Sequence, residues 1–162
     1  MKPEKINIAI VGFGNIGSYF YKVIEKSKKN ISIKTGKIPF VKYISVKNFK
    51  KKRKIKIPKS KLVKNPLALT LKKDIDIIVE LIGGSDGVAK KLVFNSLKNN
   101  KHVVTANKAL MAKYGDELSC LAEKNKVNLE YEASVAAGVP IIRSLKEGLV
   151  ANKINKIYGI LN

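Results

Sequence analysis

Ile6-Asn7-Ile8-Ala9-Ile10-Val11 runs straight into Gly12-Phe13-Gly14-Asn15-Ile16-Gly17, and a helical pattern carrying Tyr19, Phe20, Val23 and Ile24 begins near Ile16. The first stretch is an apolar run of strand length. The order strand, glycine turn, helix is the setting in which G-x-G-x-x-G reads as a dinucleotide-binding turn rather than a chance string of glycines. In such a turn Gly12 allows the sharp bend, Gly14 lets the backbone approach a pyrophosphate, and Gly17 lets the helix lie close on the strand. The helix N-terminus adds unpaired N–H groups and a partial positive charge for the phosphates.

The rest of the chain continues the alternation. Strand patterns fall at residues 40–46, 75–79, 102–105, 127–131 and 154–161, which with the first makes six. Between them, Asn65-Pro66 caps a short helix over 67–71, and Asp86 stands where it caps a helix carrying Ala89, Leu92, Val93 and Leu97. Residues 107–124 read as a helix with buried Leu118, Leu121 and Ala122 and a break at Gly115. A last helix starts at Pro140 with Ile141, Ile142, Leu145 and Leu149. Residues 47–64 form a basic, low-complexity surface loop. Strands joined by helical crossovers predict an α/β fold: one doubly wound parallel sheet of Rossmann type, with residues 1–162 as a single NAD(P)-binding domain. Ligands of such sheets sit at the carboxyl ends of the strands. Those ends carry Gly12 to Gly17, Lys47, Gly83-Gly84, Thr105 to Lys108, and Glu132 to Pro140.

A chain of 162 residues is long enough to bury a real core. No apolar run approaches the roughly 20 residues that span a bilayer, so no membrane partner is expected. The first strand begins almost at once, leaving no room for a signal peptide or a preceding kinase domain. A lone Cys120 excludes an internal disulfide and reads as a small core residue; the cytoplasm is the default location. The lone His102, at a strand start, reads as structural. The net charge of +21 suggests nucleic acid at first sight. Only Arg53 and Arg143 are arginines, however, and the lysines are spread over the whole chain. Phosphate and base readers favour the arginine fork. The excess resembles the drift of an AT-rich genome, and no nucleic-acid partner is expected.

The end of the second strand of a dinucleotide fold reads the adenine ribose: an acid selects NAD, a base accepts the 2′-phosphate of NADP. Here the strand ends Ser45-Val46-Lys47-Asn48. No Asp or Glu lies between Glu25 and Asp74, and Lys50, Lys51, Lys52 and Arg53 follow closely. Lys47 and Arg53 therefore favour NADP, with NAD as the alternative.

Four later segments carry a family resemblance. Val79-Glu80-Leu81-Ile82-Gly83-Gly84, Val103-Val104-Thr105-Ala106-Asn107-Lys108-Ala109-Leu110, Tyr131-Glu132-Ala133-Ser134-Val135-Ala136-Ala137-Gly138-Val139-Pro140-Ile141-Ile142 and Tyr158-Gly159-Ile160-Leu161-Asn162 resemble, in order, segments of homoserine dehydrogenases. The resemblance implies interconversion of L-homoserine and L-aspartate 4-semialdehyde, a step of threonine, isoleucine and methionine synthesis. It implies that backbone around Phe13, Asn15 and Ile16 holds the cofactor phosphates, that Thr105 lies beside the cofactor, and that Lys108 reaches the cofactor and substrate region as an electrostatic, catalytic group. It also implies a monovalent cation, sodium (Na+), on oxygens of Glu132, Val135, Ala137 and Val139, largely main-chain carbonyls. Such a hard ion suits oxygen ligands. Family members continue well past the position of Asn162, into a substrate-binding and dimerisation region. The resemblance therefore implies a fragment or a shortened reading frame, unable alone to turn over homoserine, and a homo-oligomer, dimer or tetramer, for the complete enzyme. A related amino-acid or semialdehyde dehydrogenase, and a non-enzymatic NADPH-binding module, are the alternatives.

Overall fold

The computed structural model describes residues 3–49 and 55–159. Its frame is β1 (Glu4–Val11), α1 (Asn15–Thr35), β2 (Lys37–Ser45), β3 (Leu62–Val63), β4 (Ile77–Glu80), α2 (Val88–Lys98), β5 (His102–Thr105), α3 (Lys108–Lys124), β6 (Leu129–Glu130), α4 (Glu132–Val135) and α5 (Ile141–Arg143). The six strands form one sheet in the order β3-β2-β1-β4-β5-β6, and every pairing is parallel. The winding reverses between β1 and β4, and a crevice for ligand opens at the carboxyl ends of the strands at such a reversal.

Alternation along the central strands builds two cores. From β1, Ile8 and Ile10 point to one face, where they meet Val41, Ile44 and Val79 under Phe20 and Ile24 of α1. Ala9 and Val11 point to the other, where they meet Ile78 and Val103 under Leu92, Val93 and Leu97 of α2 and Leu110 and Leu118 of α3. Both faces are covered, so β1 and β4 read as near-continuous apolar runs rather than as half-polar strands. The spacing that marked Ala89, Leu92, Val93 and Leu97 as one helix face corresponds to four buried side chains. Asn65 caps the short 3-10 helix Pro66–Leu71 by accepting the Leu67 N–H at 3.0 Å. Among the described residues no helix is long and apolar enough to cross a membrane.

Several expectations need correction. The sixth strand is β3, paired to the edge of β2 inside the basic loop, and not the tail. Two residues between lysines give no periodic signal. Residues 153–159 form no strand and pair with no strand of the sheet; Val150, Ile157 and Tyr158 are exposed. Residues 160–162 lie outside the described residues. Gly115 does not break α3, which runs unbroken to Lys124. The Cys120 side chain is exposed, not in the core. Asp86 does not cap α2, whose first turn has no side-chain cap. Its carboxylate instead ties the loop before α2 to α3, accepting from Tyr114 Oη at 2.7 Å, Lys113 Nζ at 2.9 and 3.1 Å, and Ser85 Oγ at 2.8 Å.

The Tyr114 hydroxyl first, then the Lys113 ammonium and Ser85, hold the Asp86 carboxyl well below the usual carboxylate range. A depressed folded-state pKa stabilises the fold above the ordinary carboxylate pKa, and this contribution fades as pH falls towards the folded value. The stability gap between the wild type and Asp86→Asn, measured by denaturant melts, is therefore expected to shrink between about pH 6 and about pH 2.

Candidate cofactor site

The glycine turn is built by close approach. Gly12 has φ 101°, a conformation side chains rarely adopt, and a Cβ on it would lie 2.6 Å from the Leu81 carbonyl oxygen. Its N–H donates to the Ser45 carbonyl at 3.2 Å, and the Leu81 N–H donates to the Val11 carbonyl at 2.8 Å, so the turn is anchored to β2 and β4 together. A Cβ on Gly17 would drive into the Gly12 carbonyl oxygen. A Cβ on Gly14, by contrast, would meet nothing within 4 Å. Gly14 is the N-cap of α1, whose first turn holds no acidic residue and no side-chain cap. Open space in front of uncapped helix N–H groups suits a diphosphate. Asn15 and Ile16 stand exposed in that first turn, and Phe13 is half-buried, edge-on to Tyr21 at 5.8 Å.

The ends of β4 and β5 lie beside it, with Val11 in register with Glu80, and Glu80 with Thr105. Glu80 is fully buried. Its Oε1 accepts the N–H of Ile82 at 2.8 Å and of Gly83 at 3.0 Å, and its Oε2 accepts the Thr105 hydroxyl at 2.5 Å. Thr105 Oγ1 in turn accepts the Asn107 N–H at 3.1 Å. Asn107 donates through Nδ2 to the Gly84 carbonyl at 2.7 Å and caps α3 by accepting the Leu110 N–H at 3.1 Å. Lys108 is the exposed first residue of α3.

The structure thus gathers Gly12, Phe13, Gly14, Asn15, Ile16, Gly17, Thr105 and Lys108 at one end of the sheet. Lys47 is exposed two residues past Ser45, next to the glycine turn. Lys50, Lys51, Lys52 and Arg53 lie outside the described residues. Glu80 and Asn107 stood in the quoted motifs without a role. The available signal for Glu80 was an acid closing the apolar run Ile77-Ile78-Val79.

Two other places differ from this end. The Glu132 carboxylate caps α5, accepting the N–H of Ile142 and of Arg143, each at 2.9 Å. The Glu132 carbonyl accepts from Ala136 at 3.3 Å and the Val139 carbonyl from Ile141 at 2.8 Å. No cluster of three or more His, Cys, Asp or Glu forms among the described residues. A cavity of about 830 Å³ opens at the opposite, amino ends of the strands, between Ile6, Ile75, Asp76, His102 and Asn128. There His102 Nδ1 accepts the Asn128 N–H at 3.0 Å, a structural role. The buried Lys101 ammonium donates to the carbonyls of Lys72 and Ile75, and burial pushes its pKa down.

Sheet order, glycine turn and uncapped helix together define a dinucleotide-binding α/β domain. Residues 12–132 match the family described as "Homoserine dehydrogenase, NAD binding domain". A homoserine dehydrogenase of Neisseria gonorrhoeae is 43% identical over 162 residues, covering 100% of this chain and 36% of that protein. One of Bacillus subtilis is 39% identical over 159 residues, covering 98% and 36%. The solved structure of a homoserine dehydrogenase from Thiobacillus denitrificans superposes with a TM-score of 0.80 at 36% identity, covering 92% of this chain and 34% of that one. The chain belongs to the homoserine dehydrogenase family, as a nicotinamide-cofactor-binding domain, and spans about a third of the length of the relatives it matches.

The three glycines separate folding from binding. Gly14→Val is expected to melt within about 1 kcal/mol of the wild type yet lose dinucleotide binding, because its side chain fills the space in front of α1. Gly17→Ala is expected to lose about 3 kcal/mol of stability through the clash with Gly12. Thermal melts alongside NADPH titration check both.

Proposed function

We propose that this chain is the cofactor-binding part of an enzyme that interconverts L-homoserine and L-aspartate 4-semialdehyde with NADP(H) in the cytoplasm. The observation that carries the reading is the family match over residues 12–132 falling on a structure whose matched segments meet at the glycine turn. A bound nicotinamide would supply hydride exchange with the alcohol carbon of homoserine or the aldehyde carbon, with the hydroxyl proton released to or taken from solvent. The chain's own part is to hold and to orient. Backbone N–H groups from Phe13 to Gly17 and the α1 N-terminus take the diphosphate. Lys47, beside that turn, takes a 2′-phosphate as a charge-assisted hydrogen bond. Lys108 places a positive charge at the β5 end, where an oxygen of the substrate gains or loses negative charge during the reaction. Arg53 belongs to the same reading as a second partner of the 2′-phosphate.

The further two thirds of the relatives' length is where, in this reading, substrate is held and subunits join as a dimer or tetramer. Without that part, the reacting carbon is not positioned and the effective concentration gained by positioning is lost. A sodium ion on Glu132, Val135, Ala137 and Val139 belongs to the same resemblance. Both Glu132 carboxylate oxygens and the Glu132 and Val139 carbonyls each accept one N–H group, which leaves each a lone pair for a hard cation. No step is assigned to a cation.

Isothermal titration of the purified chain is expected to show saturable NADPH binding, tighter than NADH, with no homoserine-dependent NADPH formation. Lys47→Ala is expected to weaken NADPH by about tenfold and leave NADH unchanged. Absence of any dinucleotide binding overturns the reading. Robust turnover by the 162-residue chain overturns its division of labour. Equal weakening of both cofactors by Lys47→Ala overturns the NADP preference.

A further inference from the structure

We propose that Glu80 is a positioning residue for the nicotinamide half of the site: it fixes the direction of the Thr105 hydroxyl and, through it, the turn that presents Lys108. The proposal rests on the cofactor-binding reading above. A buried carboxylate without a cationic partner is costly unless its oxygens are satisfied. Glu80 is 0% exposed and accepts three donors, from Ile82, Gly83 and Thr105. Two of them fix the loop that follows β4. The third settles the polarity of a hydroxyl that has one proton to give. With its proton directed at Glu80, Thr105 Oγ1 is free to accept the Asn107 N–H. Asn107 then closes the ring back to the β4 loop through the Gly84 carbonyl and caps α3, one residue before Lys108.

This ring is also joined to the phosphate turn, since Leu81 bonds Val11 and its carbonyl abuts Gly12. In a sheet wound from two halves, the β2 side takes the adenine ribose, which leaves the β4–β5 side for the nicotinamide half. Glu80 therefore acts on one half of the cofactor. Thr105 is itself buried, at 1% exposure, so the polarity of its hydroxyl acts through the Asn107 turn and Lys108 and not by facing the cofactor. Glutamine preserves the shape and reverses this polarity: its oxygen still serves Ile82 and Gly83, but its NH₂ donates to Thr105 and turns the hydroxyl proton out of the ring.

The test compares the wild type, Glu80→Gln, Thr105→Val and Thr105→Ser. It uses two probes, NADPH and 2′-phospho-ADP-ribose, which lacks the nicotinamide, together with the emission of bound NADPH and thermal melting. Expected for Glu80→Gln and Thr105→Val is about tenfold weaker NADPH with altered bound emission, while 2′-phospho-ADP-ribose stays within about threefold of the wild type. Thr105→Ser, which keeps the hydroxyl, restores both readings. Unchanged NADPH affinity and emission in Glu80→Gln overturn the proposal, as does equal weakening of both probes with a lowered melting point, which marks a merely structural carboxylate. If Glu80→Gln does not fold, Thr105→Val against Thr105→Ser decides by the same criteria. A folded wild type that binds neither probe overturns the cofactor reading itself.

Discussion

Helix α1 can lie on the sheet only because Gly17 brings no side chain to the Gly12 carbonyl, and Gly12 brings none to Leu81. This three-way backbone approach joins β1, α1 and the loop after β4 into one corner. Any larger residue at either glycine separates those elements by the width of a methyl group. The exposed N–H groups at the start of α1 and the crevice in front of them are by-products of that approach. The position between the two glycines is the one left open, so packing and ligand access are divided within a single turn.

The second half of the corner is polar. The apolar run of β4 ends in a carboxylate inside the protein, and hydrogen bonds from two loops surround it. A hydrophobic residue there would pack but would leave two loop N–H groups and a hydroxyl without an acceptor. The chain thus uses apolar alternation to build the two cores and a small directional network to fix where the loops stand above them.

Much of this was legible in the sequence. The strand, glycine turn and helix at the start, the buried helix face at Ala89, Leu92, Val93 and Leu97, and the strand His102–Thr105 follow from periodicity and turn chemistry. β3 was not legible, because two residues between lysines carry no pattern, and its pairing is decided by the open edge of β2. The tail has strand-forming residues that pair with no strand of the sheet, so local propensity misled there. Asp86 sat where a cap belongs, but Tyr114 and Lys113, more than twenty residues on, offered it stronger partners. At the site, the glycines and the position of Lys47 beside the turn were readable from spacing. Lys108 needed the family resemblance, since lysine is everywhere. The roles of Glu80 and Asn107 depend on which loops meet, which no local pattern reports.

Among the described residues Lys101 is the one buried basic side chain, held by backbone carbonyls. The other described lysines of this +21 chain, and Arg143, all reach solvent. Two copies approaching in dilute electrolyte repel one another at separations up to the Debye length, about 10 Å at 0.1 M salt. Added ions relax that repulsion without touching either core. Colloidal behaviour and internal packing are thus governed by separate sets of residues, and the first can change with the medium while the second stays as it is.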